Sequence, residues 1–130
     1  MAAATPLAEL LSPTRPYSHW RRAGDFVVIS GQLGVLPERA TTTFVDGGAP
    51  EQLRQALANA KVVLAEGGAA LADVVKATLF VLDMGDFAAL NDVWLDTFSD
   101  PLPTRSAFAV AQLPYGALAE VELWAYAPES

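Results

Sequence analysis

The tightest constraint on this 130-residue chain is the strict alternation near its carboxyl end, from Leu118 to Ala127. Ala119, Val121, Leu123 and Ala125 fall on one side of an extended strand, while Glu120, Glu122, Trp124 and Tyr126 fall on the other. Such a strand needs a sheet to join and a core against which to bury one face. The length suits one domain over residues 1–130, with residues 1–15 expected to be a variable amino-terminal segment. A composition of 52% hydrophobic and 18% charged residues supplies the core and sets the chain apart from disordered sequences.

The remaining elements follow from period and punctuation. Phe26 to Ser30 is a short β-branched run between the turn signal Ala23-Gly24-Asp25 and Gly31, which predicts a strand. Residues 34–49 read as loop, with a strand near Thr41 to Val45. From Pro50 onward Leu53, Ala56, Leu57, Ala60, Val63 and Leu64 recur at helical steps up to Gly67-Gly68. Asp73 to Leu82 reads as a long strand with at least one face fully buried. Asp86 is placed to cap a second helix with the stripe Phe87, Leu90, Trp94 and Phe98, on which Asn91 also lies. Thr104 to Leu113 and Leu118 to Ala127 then read as two strands of a hairpin around Pro114-Tyr115-Gly116. The order predicts an α+β fold: a mixed sheet of five or six strands with two helices packed on one face. Apolar residues on both sheet faces imply that a partner covers the second, most simply another copy of the chain.

Charge and residue types exclude much chemistry. The net charge is −7, with eleven acids against four bases over residues 51–130, so no nucleic-acid partner is expected. Cysteine is absent and His19 is the one histidine, which argues against a thiolate nucleophile and against a Cys/His metal site. The acids form no metal motif, and Gly31-Gln32-Leu33-Gly34 matches neither phosphate-binding glycine pattern. With no secretory leader and no membrane-spanning run, the expected location is the cytoplasm.

Several residues could carry function. Glu120 and Glu122 point the same way, about 7 Å apart, as an acid/base pair or as the solvated edge of an amphipathic strand. Arg105 opens an apolar strand and is suited to a two-point grip on a carboxylate or phosphate, or to a structural ion pair. Asn91 must satisfy its amide through a helix-to-backbone tie or a ligand. Tyr17 is a rim aromatic or a hydroxyl donor, and His19 reads most simply as a surface residue at a strand start. A hairpin turning between Tyr115 and Gly116 would set Glu120 opposite Ala111 and Arg105 opposite Tyr126. The two would then stand about 20 Å apart along the ladder, too far for one small ligand unless the site is shared between subunits.

Taken in order, Pro16-Tyr17-Ser18, Ala23-Gly24-Asp25, Ser30-Gly31-Gln32, Asp73 to Thr78, Asp86-Phe87 to Asn91, Pro103-Thr104-Arg105-Ser106, Leu113-Pro114 and Glu120-Val121-Glu122 resemble the RidA/YjgF family of reactive-intermediate deaminases. The resemblance covers about residues 16–127. It implies a chorismate-mutase-like fold, a homotrimer with intersubunit sites, and hydrolysis of 2-imino or enamino acids to 2-keto acids and ammonia, as in a 2-iminobutanoate/2-iminopropanoate deaminase. No metal or organic cofactor is implied. On this resemblance Arg105 clamps the substrate carboxylate and Glu120 holds and activates water. Tyr17 joins them as a catalytic residue, Asn91 lines the site, and Ser30 and Gly31 shape the pocket. Ala107 stands where the family often has cysteine, leaving its backbone to bind substrate and shifting pocket size. Tyr115 and Trp20 add aromatic bulk suited to a larger imine. A trimer that only binds a small carboxylate, and a pathway-specific deaminase of a larger enamine, are the alternatives. The ribonuclease activity attributed to some relatives conflicts with the charge.

Overall fold

The computed structural model describes residues 16–37 and 42–129. In chain order these form β1 (Trp20–Ala23), β2 (Phe26–Ile29), β3 (Gln32–Leu33), α1 (Gly48–Glu66), β4 (Val74–Val81), α2 (Phe87–Thr97), β5 (Thr104–Ala109) and β6 (Ala119–Tyr126). Together they make the expected α+β arrangement of one mixed sheet and two helices. The expected variable segment, residues 1–15, lies outside the described residues. Of the strand expected near Thr41 to Val45, Thr41 is also outside them, and Phe44 makes a single antiparallel bridge to Val35. Among the described residues no helix is long and apolar enough to cross a membrane.

The six strands run in the order β1-β2-β6-β4-β5, with β3 also on β6. Strand β6 is central: β2 and β3 flank one side and β4 the other, all antiparallel to it. Its alternation is realised as read, since Ala119, Val121, Leu123 and Ala125 are fully buried and Trp124 and Tyr126 are exposed. The helices cover the buried face. All six stripe residues of α1 are at most 2% exposed, and the helix stops at Gly67-Gly68 as expected.

The opposite face is open and aromatic. Phe26 meets Trp124 and Tyr126 edge-on, and Phe80 meets Phe108 at a centroid distance of 5.6 Å. Lys76 lies over Trp124. Phe26, Trp124, Tyr126 and Phe108 are each between 37% and 47% exposed, so a broad apolar surface faces outward.

The expected hairpin is corrected. Strand β5 ends at Ala109 and runs parallel to β4, which separates it from β6. The reason is topological: α2 carries the chain back over the sheet between β4 and β5, and a crossover of that kind returns a parallel strand. Central β4 can then hydrogen-bond on both edges. Glu120 therefore pairs with Phe80 and Leu33 instead of Ala111, and Arg105 pairs with Ala77 instead of Tyr126. Asp86 is also corrected as a cap. It makes no side-chain capping bond, and Asp83 accepts from the Gly85 amide in the preceding turn instead. Short β1 and two-residue β3 had no readable period.

Two buried amides of α1 tie the helix to the ends of β3 and β6. Asn59 donates to the carbonyls of Leu33 and Val35 at 2.9 and 3.0 Å, and Gln52 accepts from the Leu118 amide at 2.9 Å. Close docking needs Gly34, where a Cβ would run into the Gln52 backbone. Replacing Asn59 by alanine should strand two carbonyls and cost about 1–3 kcal/mol in denaturant unfolding. A loss within about 0.5 kcal/mol, ordinary for a surface position, would contradict this tie.

Candidate functional site

Glu120 projects from the middle of the sheet on the open face, beside Phe80. The chain leaving β2 crosses over its carboxylate at Gly31, where a Cβ would overlap Glu120 Oε2. Only glycine leaves the carboxylate its place. Burial raises the Glu120 pKa above the ordinary carboxylate range, and the like charge of Glu122 adds to the rise. The carboxylate opens into a cavity of about 60 Å³ whose walls include Tyr17, His19, Leu33, Val35, Pro114 and Tyr115. A half-buried carboxylate with heightened proton affinity, set in a small cavity of mixed polar and apolar lining, is equipped to take and return a proton.

Arg105 occupies a different place. Its Ala77 partner is paired in turn with fully buried Leu123, so Arg105 emerges on the helix-covered side of the edge strand β5. Asn91 Oδ1 accepts from Arg105 Nη2 at 2.9 Å, and the guanidinium carbon lies 5.2 Å from the Phe87 ring centre and 5.0 Å from that of Trp94. Two rings and one amide of α2 thus hold the fork in a cation–π clamp. The ion pairs among the described residues engage Arg22 and Arg54, not Arg105. Desolvation lowers its pKa from the ordinary value, and an arginine stays charged regardless. Leu95, Leu102 and Pro103 border the open groove beside it.

The expected residues therefore fall into two groups. Glu120, Tyr17 and Gly31 share the first cavity, and Arg105 and Asn91 share the second groove. The Ser30 hydroxyl donates to the Ser18 carbonyl at 2.6 Å, and its amide donates to the His19 carbonyl. Ser30 thus pins the segment before β1, which carries Tyr17, against the β2–β3 connection that carries Gly31. Ala107, two residues beyond Arg105 on the same side of β5, is partly buried against the core. Trp20 is corrected: it packs against Gly67 at the end of α1, away from Glu120. In register, Arg105 and Glu120 are two strands and three residues apart, about 14 Å between backbones, and on opposite faces of the sheet. The spacing of Phe87 and Trp94 predicts core positions. Their sharing of one helical face with Asn91 was the signal that they could meet a ligand-binding arginine.

A family model described as Endoribonuclease L-PSP matches residues 8–127. A RutC family protein of Pyrococcus abyssi is 40% identical over 114 residues, covering 88% of this chain and 88% of that one. A 2-iminobutanoate/2-iminopropanoate deaminase of Dermatophagoides farinae is 40% identical over 118 residues, covering 91% and 89%. Among solved structures, RidA from an Antarctic Psychrobacter superposes with a TM-score of 0.81 at 38% identity over 88% and 91% of the two chains. Escherichia coli TdcF with bound serine superposes with a TM-score of 0.77 at 33% identity over 87% and 89%.

The raised Glu120 pKa sets a stability profile. A carboxyl whose folded pKa exceeds its unfolded value contributes stability in full below the unfolded pKa, about 4.3 for glutamate, and loses it as pH rises through the folded value. Glu120→Gln cannot ionise, so its melting temperature should exceed that of the native protein at pH 7 to 8, with the gain shrinking on acidification toward pH 4. A difference that does not vary over this range would show that Glu120 is not desolvated.

Proposed function

The chain belongs to the Endoribonuclease L-PSP family, which takes in the RutC and RidA/YjgF proteins, and from that membership we propose that it hydrolyses 2-imino acids and their enamine tautomers to 2-keto acids and ammonia. The observation that carries the reading is the Glu120 carboxylate, pressed against Gly31 in a small cavity with its proton affinity raised. An imine is already electrophilic, so orientation and one proton relay suffice. Glu120 takes a proton as a water oxygen bonds to the imine carbon. It returns that proton to the nitrogen to give the carbinolamine, and in a second transfer it takes the hydroxyl proton and delivers it to the amino group as the carbon–nitrogen bond breaks and the carbonyl forms, releasing ammonia and a 2-keto acid. Tyr17 borders the same cavity, Asn91 orients Arg105, and Arg105 grips the substrate carboxylate through the N–H groups that Asn91 does not use.

Because Arg105 and Glu120 lie on opposite faces of one sheet, the proposed site joins Glu120 of one subunit to Arg105 of the next. The exposed aromatic sheet face and the apolar rim of Leu95 and Leu102 beside Arg105 support assembly. The resemblance to the RidA proteins implies a homotrimer with a chorismate-mutase-like subunit, acting without metal or organic cofactor in the cytoplasm. Ser30 and Ala107 belong to the site through their backbones, since the Ser30 hydroxyl is committed to Ser18. The description of the family as an endoribonuclease has an alternative chemistry in it, but a net charge of −7 repels a phosphate backbone.

The test generates imines in place with an amino-acid oxidase and follows keto-acid release from alanine, 2-aminobutyrate and leucine. Micromolar protein should speed imine disappearance; unchanged rates across the series would refute deamination of small aliphatic imines and leave a deaminase of a larger enamine or a carboxylate-binding trimer. Arg105→Lys should lower kcat/KM roughly 10- to 150-fold, equivalent to about 1.5–3 kcal/mol for a lost bond to a charged group. An ammonium cannot reproduce the planar two-point grip. Native turnover and KM in this variant would make Arg105 purely structural.

A further inference from the structure

Tyr115 stands out among the described residues as the only non-glycine with a positive φ, at φ 58° and ψ 21°. The left-handed region disfavours a bulky aromatic residue, and with 66% of its surface exposed Tyr115 gains little burial in return. The turn holds it there. Pro114 fixes the entry, the Gly116 amide donates to the Leu113 carbonyl, and the Ala117 amide donates to the Pro114 carbonyl. One residue later, Leu118 is tied to Gln52 on α1. The ring therefore stands on a rigid turn, and it borders the Glu120 cavity. Strain retained at the rim of a candidate site points toward function rather than folding.

We propose that Tyr115 is a specificity-determining residue, an aromatic wall that limits the side chain of the 2-imino acid to short aliphatic groups. The inference rests on the deaminase reading above. With the substrate carboxylate on Arg105 and the imine carbon beside Glu120, the side chain has Leu33, Val35, Pro114 and Tyr115 for its surroundings. The space beside Glu120 is small, about 60 Å³, and Tyr115 stands at its rim with Pro114. A short aliphatic side chain fits alongside the reacting carbon, whereas a benzyl group would compete with the tyrosine ring for the same rim, so the aromatic bulk of Tyr115 narrows the site, in contrast to the wider site suggested by sequence.

Binding of unreactive product analogues tests this without requiring turnover. Calorimetry would compare 2-ketobutyrate with phenylpyruvate on the native protein, Tyr115→Phe and Tyr115→Asn. Asparagine tolerates the left-handed backbone and keeps the turn while deleting the wall. The native protein and Tyr115→Phe should favour 2-ketobutyrate, and Tyr115→Asn should shift the affinity ratio toward phenylpyruvate by about tenfold or more, the scale at which pockets discriminate by size. Its melting temperature should not fall. A ratio unchanged in Tyr115→Asn, or a native protein that binds phenylpyruvate as tightly as 2-ketobutyrate, overturns the proposal. Failure of the deaminase reading has a separate signature: no keto-acid release from imines, with the binding ratios still shifted.

Discussion

The period of two along a β-strand governs this molecule. Strand β6 buries Ala119, Val121, Leu123 and Ala125 under the helices, and the same alternation forces Glu120 and Glu122 onto the other face with Trp124 and Tyr126. Parallel pairing of β5 with β4 transmits the alternation outward, so Arg105, level with buried Ala77, emerges on the helix side. No side-chain rotamer brings the two charged groups together through a sheet. A single subunit is thereby left with the Glu120 cavity on one face and the Arg105 groove on the other, along with an aromatic surface that water covers poorly.

Each half is held by a different device. On the Glu120 side the fixing groups are backbone and glycine. Gly31 lets the β2–β3 connection lie on the carboxylate, Gly34 lets α1 approach, and Asn59 binds the carbonyls that flank the cavity wall. On the Arg105 side the fixing groups are the rings of Phe87 and Trp94 and the amide of Asn91, all from α2. Thr104 adds a bond from its hydroxyl to the carbonyl of Val75, at the bulge where β4 slips by one residue against β6. The bulge and the bond fix the start of β5 one residue before the arginine.

Elements with a sustained period were legible from sequence. The α1 stripe, the long run of β4 and the alternation of β6 each declare a buried face, and the chain order declared α+β. Pairing was not legible, because a strand's pattern specifies which face is buried and not which neighbour it bonds. Pro114-Tyr115-Gly116 has the composition of a tight turn, yet the strands on either side of it are parted by β4. Arg105 and Glu120 of one subunit are too far apart for one small ligand, as the sequence implied, but because about 14 Å and opposite faces of the sheet separate them in place of a long ladder. Gly31 belongs to a recognisable Ser-Gly-Gln run, but its contact with Glu120 joins distant segments that no local pattern connects. The clamp on Arg105 was half visible, since Phe87, Asn91 and Trp94 share a helical face. Their target, on a different strand, was not.

The central claim is that function requires two copies of the chain, each supplying what the other's sheet holds on the wrong side. Mixing inactive Arg105→Ala and Glu120→Ala proteins after mild dissociation tests it most directly. In randomly reassembled rings, about one interface in four pairs an intact Glu120 with an intact Arg105, so about a quarter of native imine hydrolysis should return. No recovery, with subunit exchange verified by mass spectrometry, would contradict the shared site.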